Sequence, residues 1–293
     1  MDLRQLRSFV VLAQTLDFGL AAQQLSITKP PLSRQIAALE ESLGTPLFIR
    51  NFRSLALTPA GKSFLASTTR LLADIDAAIQ KAQATALGER GELRISFTMY
   101  SAWYVLPELV AVFAKLRPDI AIILDETLPN NMYQALITGD VDIGISFPLQ
   151  LTHSLCYKIL YREPLCAVLP NHHSLASELR ISVGDLASDH FVAFTNSTAP
   201  RLHETVSACC RQYNFEPLIK VEAHLQQNII DLVAKGIGVA LVPDSMRKIK
   251  VPGAVFLPLI ESPVIEQGIY WNPKNKNPCL PHLISYLSDI HKN

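Results

Sequence analysis

Residues 26–44 read Ser26-Ile27-Thr28-Lys29-Pro30-Pro31-Leu32-Ser33-Arg34-Gln35-Ile36-Ala37-Ala38-Leu39-Glu40-Glu41-Ser42-Leu43-Gly44. Leu32, Ile36, Leu39 and Leu43 recur at spacings of 4, 3 and 4, which is one buried stripe of a helix. Thr28 stands where an N-cap belongs. Pro30 and Pro31 fall in the first turn, whose N–H groups have no partner in any helix, so proline is tolerated there. Gly44 closes the helix as a left-handed cap. Ser33, Arg34 and Gln35 point away from the stripe. Upstream, Ser26-Ile27 forms a tight turn, and Ala21, Ala22 and Leu25 are the packing residues of a shorter helix. Asp17-Phe18-Gly19 separates that helix from an earlier one. Asp2 caps this first helix with Gln5 as its capping-box partner, and Leu6, Phe9, Val10 and Ala13 form its apolar face. Two helices joined by a tight turn, the second offering Ser, Arg and Gln near its start, describe a helix-turn-helix. Arginine grips guanine bidentately and glutamine grips adenine, each contact discriminating by roughly 1–3 kcal/mol.

Downstream, residues 47–50 and 55–57 are two short strands about a turn at 51–54, a wing with Arg50 and Arg53 at its tip for phosphate contacts. Thr58 caps a long helix that Pro59 opens and that runs to about Leu87. Leu65, Thr68, Leu72, Ile75, Ile79, Ala82 and Ala86 are spaced 3, 4, 3, 4, 3, 4, a heptad seam. No second long helix nearby offers itself as a partner, so the seam, and Leu65, Leu72, Ile75 and Ile79 above all, is assigned to dimerisation. The expected divisions are 1–58 for the reading head, 59–87 for the linker helix, 88–91 for a hinge around Gly88 and Gly91, and 92–293 for a second domain.

The chain's 293 residues suit about two domains. Lysine plus arginine and aspartate plus glutamate both number 26, which excludes a polycation, yet residues 1–60 hold six cations against four anions. No apolar run approaches the roughly 18 residues of a membrane span, and the short run 9–13 is closed by Gln14 and Asp17, so no signal peptide is read and a cytoplasmic location is expected. Five cysteines without CxxC spacing read as reduced, buried thiols, with a redox-sensing pair as the sharper alternative.

Residues 92–293 alternate strand and helix. Strands are expected at 93–97, 120–124, 141–146, 165–169, 191–194, 219–222, 239–242 and 268–271, and helices at 107–116, 132–138, 200–213, 228–235 and 280–290. The alternation implies an α/β domain with a largely parallel sheet. Ligands of such domains sit off the carboxyl ends of strands, near helix N-termini. That rule selects Thr98 and Ser101, Asn130, Thr195, Asn196, Ser197 and Thr198, and His224 and Gln226, groups that suit a carboxylate.

The runs 3–9, 21–22, 30–36, 39–41, 44–50 and 57–61 together resemble the N-terminal module of the LysR-type transcriptional regulators. Leu106-Pro107, residues 139–145 and residues 232–243 resemble the same family's effector domain, so the resemblance spans essentially the whole chain. It implies a winged helix-turn-helix joined to a two-lobed domain like a periplasmic solute-binding protein, with lobe I at about 92–162 and 268–293 and lobe II at about 163–267. It implies double-stranded promoter DNA bound through Thr28, Lys29, Pro30, Pro31, Ser33, Arg34, Gln35, Arg50 and Arg53. It also implies a small-molecule effector in the cleft, a homodimer or homotetramer, and RNA polymerase as a candidate partner. Three positions depart from the family pattern. Lys29 stands where relatives usually carry Gln, Gly19 where they carry Ser or Thr, and Leu20 where a polar or basic residue is common. In the muconate-responding branch an Arg commonly follows the Asp-x-Gly strand; here Phe147 takes that place, pointing to a more apolar or monoanionic effector.

The chain carries no complete enzyme signature. His203-Glu204 lacks the second histidine of a metalloprotease helix, and Gly236-Ile237-Gly238 precedes a strand instead of following one. His172-His173 lack partners at ligand spacing. No cofactor or metal is expected. A small-molecule-binding protein or an enzyme is the rival class.

Overall fold

The computed structural model describes residues 1–51, 54–102, 105–148 and 154–290. The chain divides into two units, Met1–Ala84 and Thr85–Asn293.

In the first unit, α1 (Leu3–Thr15) begins with the expected capping box: Asp2 accepts from the Gln5 backbone and Gln5 from the Asp2 backbone, both at 2.9 Å. α2 (Phe18–Gln24) begins at Asp17, whose Oδ1 accepts from the N–H groups of Gly19 at 2.6 Å and Leu20 at 2.9 Å. Asp17-Phe18-Gly19 is therefore a helix start as well as a break. Ser26, at φ 55°, makes the turn into α3 (Lys29–Leu43), which ends at Gly44 with φ 64°. Thr28 occupies the N-cap position of α3 but makes no side-chain cap bond. The reason lies in the register of the prolines. A cap hydroxyl accepts from the second or third helical N–H, and here those residues are Pro30 and Pro31, which have none.

β1 (Phe48–Asn51) and β2 (Ser54–Leu57) form the antiparallel wing. Glu40 Oε1 anchors it, accepting from the backbones of Leu47 at 2.8 Å and Phe48 at 3.1 Å. α4 (Pro59–Ala86) starts under Thr58, whose hydroxyl does accept from Gly61 N–H at 2.8 Å, because a single proline at the first position leaves the third donor intact. Phe9, Leu12, Leu32, Ile36, Leu39 and Leu47 are sealed in the core, with Phe9 against the rings of Phe48 and Phe64 at 5.6 and 5.2 Å. Each such burial stabilises by about 1.5–3 kcal/mol.

The heptad seam of α4 is divided. Leu65 and Leu72 pack on this core and Thr68 is buried, whereas Ile79 is 48% exposed. An Arg7–Asp76 ion pair at 3.1 Å also ties α1 to α4. Leu65 and Leu72, assigned to dimerisation with Ile75 and Ile79, are thus also packing residues of their own unit. The first half of α4 does have a partner, the helices of its own unit.

In the second unit, β3 (Gly91–Phe97) runs parallel to β4 (Ile120–Glu126) and to β5 (Ile143–Ser146). α5 (Val105–Leu116) and α6 (Pro129–Thr138) connect them. β6 (Cys156–Pro170) follows, then β7 (His190–Phe194), α7 (Pro200–Gln212), β8 (Leu218–Ala223), α8 (Gln226–Ala234), β9 (Ala240–Pro243), β10 (Ala254–Pro258), β11 (Val264–Trp271) and α9 (Leu280–Ile290). The expected parallel sheet is in fact mixed. β7 and β8 are parallel, but β11 is antiparallel to β5 and β6, and β9 and β10 are antiparallel to β6. The cause is β6 itself. Its first half, whose polar and apolar residues do not alternate cleanly, pairs with β11, and its second half pairs with β9 and β10. One long strand thereby serves two cores. The first core gathers Leu93, Ile95, Phe113, Ile143, Ile269 and Leu283, and the second gathers Val168, Phe191, Ile229, Val233 and Val239.

Asp142 ties the returning C-terminal segment to the first core, accepting from the Arg94 backbone at 2.9 Å and from the amides of Asn275 at 2.9 Å and Asn277 at 2.8 Å. Gly88, at φ +70°, lies so close to residue 278 that a Cβ would stand 1.9 Å from the Pro278 carbonyl oxygen, so only glycine fits this exit from α4.

Candidate functional site: nucleic-acid interface and small-molecule cleft

The start of α3 presents Thr28, Lys29, Pro30 and Arg34 to solvent, with Pro31, Ser33 and Gln35 half-buried. Arg34 makes no ion pair among the described residues, so its planar fork of donors is free for a base edge or a phosphate. Gln35 is more constrained. Its Oε1 accepts from the buried Ser8 hydroxyl at 2.5 Å, which ties α3 to α1 and leaves the amide NH2 and one oxygen lone pair for recognition. Arg50 also has framework partners: it pairs with Glu40 Oε2 at 3.1 Å and lies over the Phe18 ring at 5.7 Å, yet 46% of its side chain remains exposed. Arg53 lies outside the described residues. Two of the three departures from the family pattern touch each other, because the tip of Lys29 rests against Gly19.

In the second unit a cleft of about 1080 Å³ opens between the two cores. Thr98, Asn130, Asn196 and Thr198 line it, together with Asn131, Gln134 and Ser146. The first residues of α6 (Pro129, Asn130, Asn131) and of α7 (Pro200, Arg201) form part of the wall, so two helix N-termini with partial positive charge meet at one cavity. Among the described residues, Arg201, Glu204 and Glu266 are the charged ones that line it. Arg201 pairs with Glu204 at 3.1 Å and Glu266 with Arg162 at 2.8 Å.

The other residues selected from sequence do not line the cleft. Ser101 is fully buried and its hydroxyl donates to the Ile145 carbonyl at 3.1 Å, because the short turn at 99–101 folds it under β5. Thr195 Oγ1 stands 2.7 Å from Thr198 Oγ1 and 3.0 Å from His224 Nδ1, so Thr195 and His224 orient Thr198 from behind. Ser197 bonds to Thr195 at 3.5 Å, and Gln226 is buried at the start of α8.

Sequence reasoning singled out Phe147, which lines the cleft, but missed the tyrosines that extend it into an aromatic wall: Tyr100, Tyr133, Tyr157 and Tyr270. Tyr157 and Tyr270 are directly opposite on β6 and β11, with ring centroids 4.5 Å apart. Only the strand register brings them together, and no local pattern carries that. Tyr100 stands between Phe147 at 5.4 Å and Phe194 at 5.1 Å, and all three rings belong to the second core. Burial pushes its phenol up to about 12, and the Thr198 hydroxyl pulls it partly back, so Tyr100 is a neutral hydrogen-bonding group at physiological pH.

The thiol alternative gains nothing from the geometry. All five cysteines are free, and Cys166, Cys209, Cys210 and Cys279 are buried. Burial pushes Cys166 and Cys210 up to about 12, away from the reactive thiolate. Among the described residues no group of histidine, cysteine and carboxylate side chains could hold a metal ion, and no helix is long and apolar enough to cross a membrane.

Residues 3–62 match the family model described as bacterial regulatory helix-turn-helix protein, lysR family, and residues 86–290 match the LysR substrate binding domain. The chain is 36% identical over 292 residues to the transcriptional regulator IlvR of Caulobacter vibrioides, covering 99% of this chain and 98% of that protein. It is 34% identical to AlsR of Bacillus subtilis, covering 97% and 94%. Among solved structures it superposes on CbnR, a LysR family transcriptional regulator, with a TM-score of 0.89 at 23% identity, covering 98% of this chain and all of that one. A structure of full-length CbnR complexed with its target DNA matches at a TM-score of 0.84 and 23% identity, each chain covered to 99%.

Proposed function

Because the chain belongs to the LysR family of DNA-binding transcriptional regulators, we propose that it reads promoter DNA through paired α3 helices, under the control of a small monoanionic or aromatic acid held in the cleft. It is a regulator and not an enzyme.

The lining of the cleft carries the effector reading. Two helix N-termini and the hydroxyls of Thr98 and Thr198 favour one anionic group. Beyond them the wall is aromatic, Phe147 stands after β5, and Arg201 is outnumbered by Glu204 and Glu266. A second carboxylate on the effector would meet like charge or an unpaired apolar wall, which is costly to desolvate. Self-association is supported by exposed apolar surface in both units. Leu71 and Ile79 on α4 are each 48% exposed. Val112 and Leu116 on α5 and Ile123 and Leu124 on the edge strand β4 are exposed as well. A homodimer through α4, extended to a homotetramer through the second unit, accounts for both surfaces. The effector then acts by binding one quaternary arrangement of the reading heads better than another. RNA polymerase at the promoter is the further partner of such a regulator, and its place of work is the cytoplasm.

A thermal-shift panel on the full chain tests this. At 100 times its dissociation constant an effector stabilises by about 2.7 kcal/mol. An aromatic or aliphatic monocarboxylate is expected to raise the melting temperature in a dose-dependent way. Dicarboxylates outranking monocarboxylates would overturn the charge argument. Arg34→Ala tests the DNA half: it should abolish preference for selected over random DNA while folding is kept, and an unchanged preference would refute it.

A further inference from the structure

Gly19 is the second residue of α2, a helix of seven. A glycine there costs about 0.5–1 kcal/mol against alanine. Its backbone is not left-handed, so conformational freedom does not explain it. Space does. A Cβ on Gly19 would stand 3.1 Å from Lys29 Cε, 3.2 Å from Lys29 Nζ and 2.9 Å from Asp17 Oδ1. The tip of Lys29 therefore rests on the bare Cα of Gly19, next to a carboxylate that is itself fixed by two backbone N–H groups. Lys29 is the first residue of α3, where the helix dipole repels a cation. The Asp17 carboxylate offsets part of that repulsion through space, although no ion pair joins the two side chains. The N-terminal residues of such a helix reach base edges in the major groove, and there a lysine ammonium matches the two acceptors of guanine, O6 and N7.

We propose that Lys29, seated on Gly19 beside Asp17, reads a guanine in each operator half-site, and that Gly19 is the positioning residue that sets where the ammonium stands. The proposal rests on the reading of α3 as the DNA-contacting helix. It makes Gly19 a determinant of base preference that never touches DNA.

The test uses the full-length protein. Selection from a duplex library with a randomised core defines the preferred site, and binding is then measured for wild type, Lys29→Ala, Gly19→Ala and the double variant, over a series of salt concentrations. Gly19→Ala adds helix propensity and moves the flexible end of Lys29, but it also crowds the Asp17 cap at 2.9 Å, so a circular-dichroism melt checks that the fold is kept. Lys29→Ala should lose about 5- to 150-fold of preference at one guanine per half-site and leave the other positions unchanged. Gly19→Ala should change preference at that same position only, and should add nothing once Lys29 is alanine. Uniform weakening by Lys29→Ala on all sequences, with a shallower salt dependence, would make Lys29 a phosphate contact and overturn the proposal. So would a Gly19→Ala effect that persists undiminished in the double variant. Failure of the underlying reading looks different: Arg34→Ala would then leave sequence preference untouched, or the wild type would select no sequence.

Discussion

Glu40→Ala should cost the N-terminal unit about 3 kcal/mol. One oxygen of Glu40 accepts two backbone N–H groups, those of Leu47 at 2.8 Å and Phe48 at 3.1 Å. The other pairs with Arg50 at 3.1 Å. Hydrogen bonds to an ionised acceptor contribute about 1.5–3 kcal/mol each. Leu47 and Phe48 are 1% and 5% exposed, so their donors are left without a partner once the carboxylate is gone. The Glu40 side chain is itself 17% exposed, and water can enter the gap, so the lower end of that range applies to each bond. The ion pair adds about 0.2–1 kcal/mol, because Arg50 is largely solvated. Glu40→Gln separates the contributions: its amide oxygen can keep both backbone bonds, weakened because the acceptor is now neutral, and the ion pair is lost, for about 2 kcal/mol in all. Hydrogen exchange of the full chain, followed on peptides spanning the wing, is the assay. Exchange at Leu47 and Phe48 should accelerate about 150-fold in Glu40→Ala and about 30-fold in Glu40→Gln. A Glu40→Ala effect below about 0.5 kcal/mol, the range of ordinary surface changes, would refute the view that Glu40 anchors the wing.

Glu163 is buried in the middle of β6, bonded to Ser245 N–H at 2.7 Å and to the Gln267 amide at 3.4 Å, and burial raises its carboxyl above the usual range. A raised folded-state value means stability that is present at acid pH and lost as pH rises through that value. Glu163→Gln should therefore match or exceed wild type in melting temperature at neutral pH and lose that advantage in acid; wild type gaining on the variant as pH rises would contradict it. Leu72→Ala should destabilise the chain by about 1–2 kcal/mol in denaturant melts, as partial core truncation does, whereas Ile79→Ala should keep the melt and weaken self-association in sedimentation. Equal effects of the two on folding would remove the division of α4. Native protein treated with iodoacetamide should be alkylated slowly at Cys166 and Cys210 and keep its DNA affinity, and rapid labelling of either, read by mass spectrometry, would reopen the thiol alternative.

The local devices of the reading head were legible in the chain because each is written within about four residues. Asp2 with Gln5, Thr58 over Gly61 and Gly44 all do what their neighbours dictate. Even the failed cap at Thr28 is contained in the two prolines that follow it, once their register is counted. The spacing of Leu32, Ile36 and Leu39 fixed a buried face, and all three are fully buried. Ser101, by contrast, looked like a cleft residue only by its place after a strand. Its hydroxyl is spent inside on Ile145, 44 residues away.

The sequence by itself determined the helix-turn-helix, the long helix and the α/β character of the remainder, since these follow from short-range periodicity and capping. The tertiary structure alone decided which half of the α4 seam is used inside its own unit, that β6 and β11 run antiparallel between two cores, and that Tyr100, Tyr157, Tyr270 and Phe147 share one wall. It also placed Lys29 upon Gly19. Periodicity fixes which face of an element is apolar. What that face meets depends on contacts between residues far apart in the chain, and no local pattern encodes them.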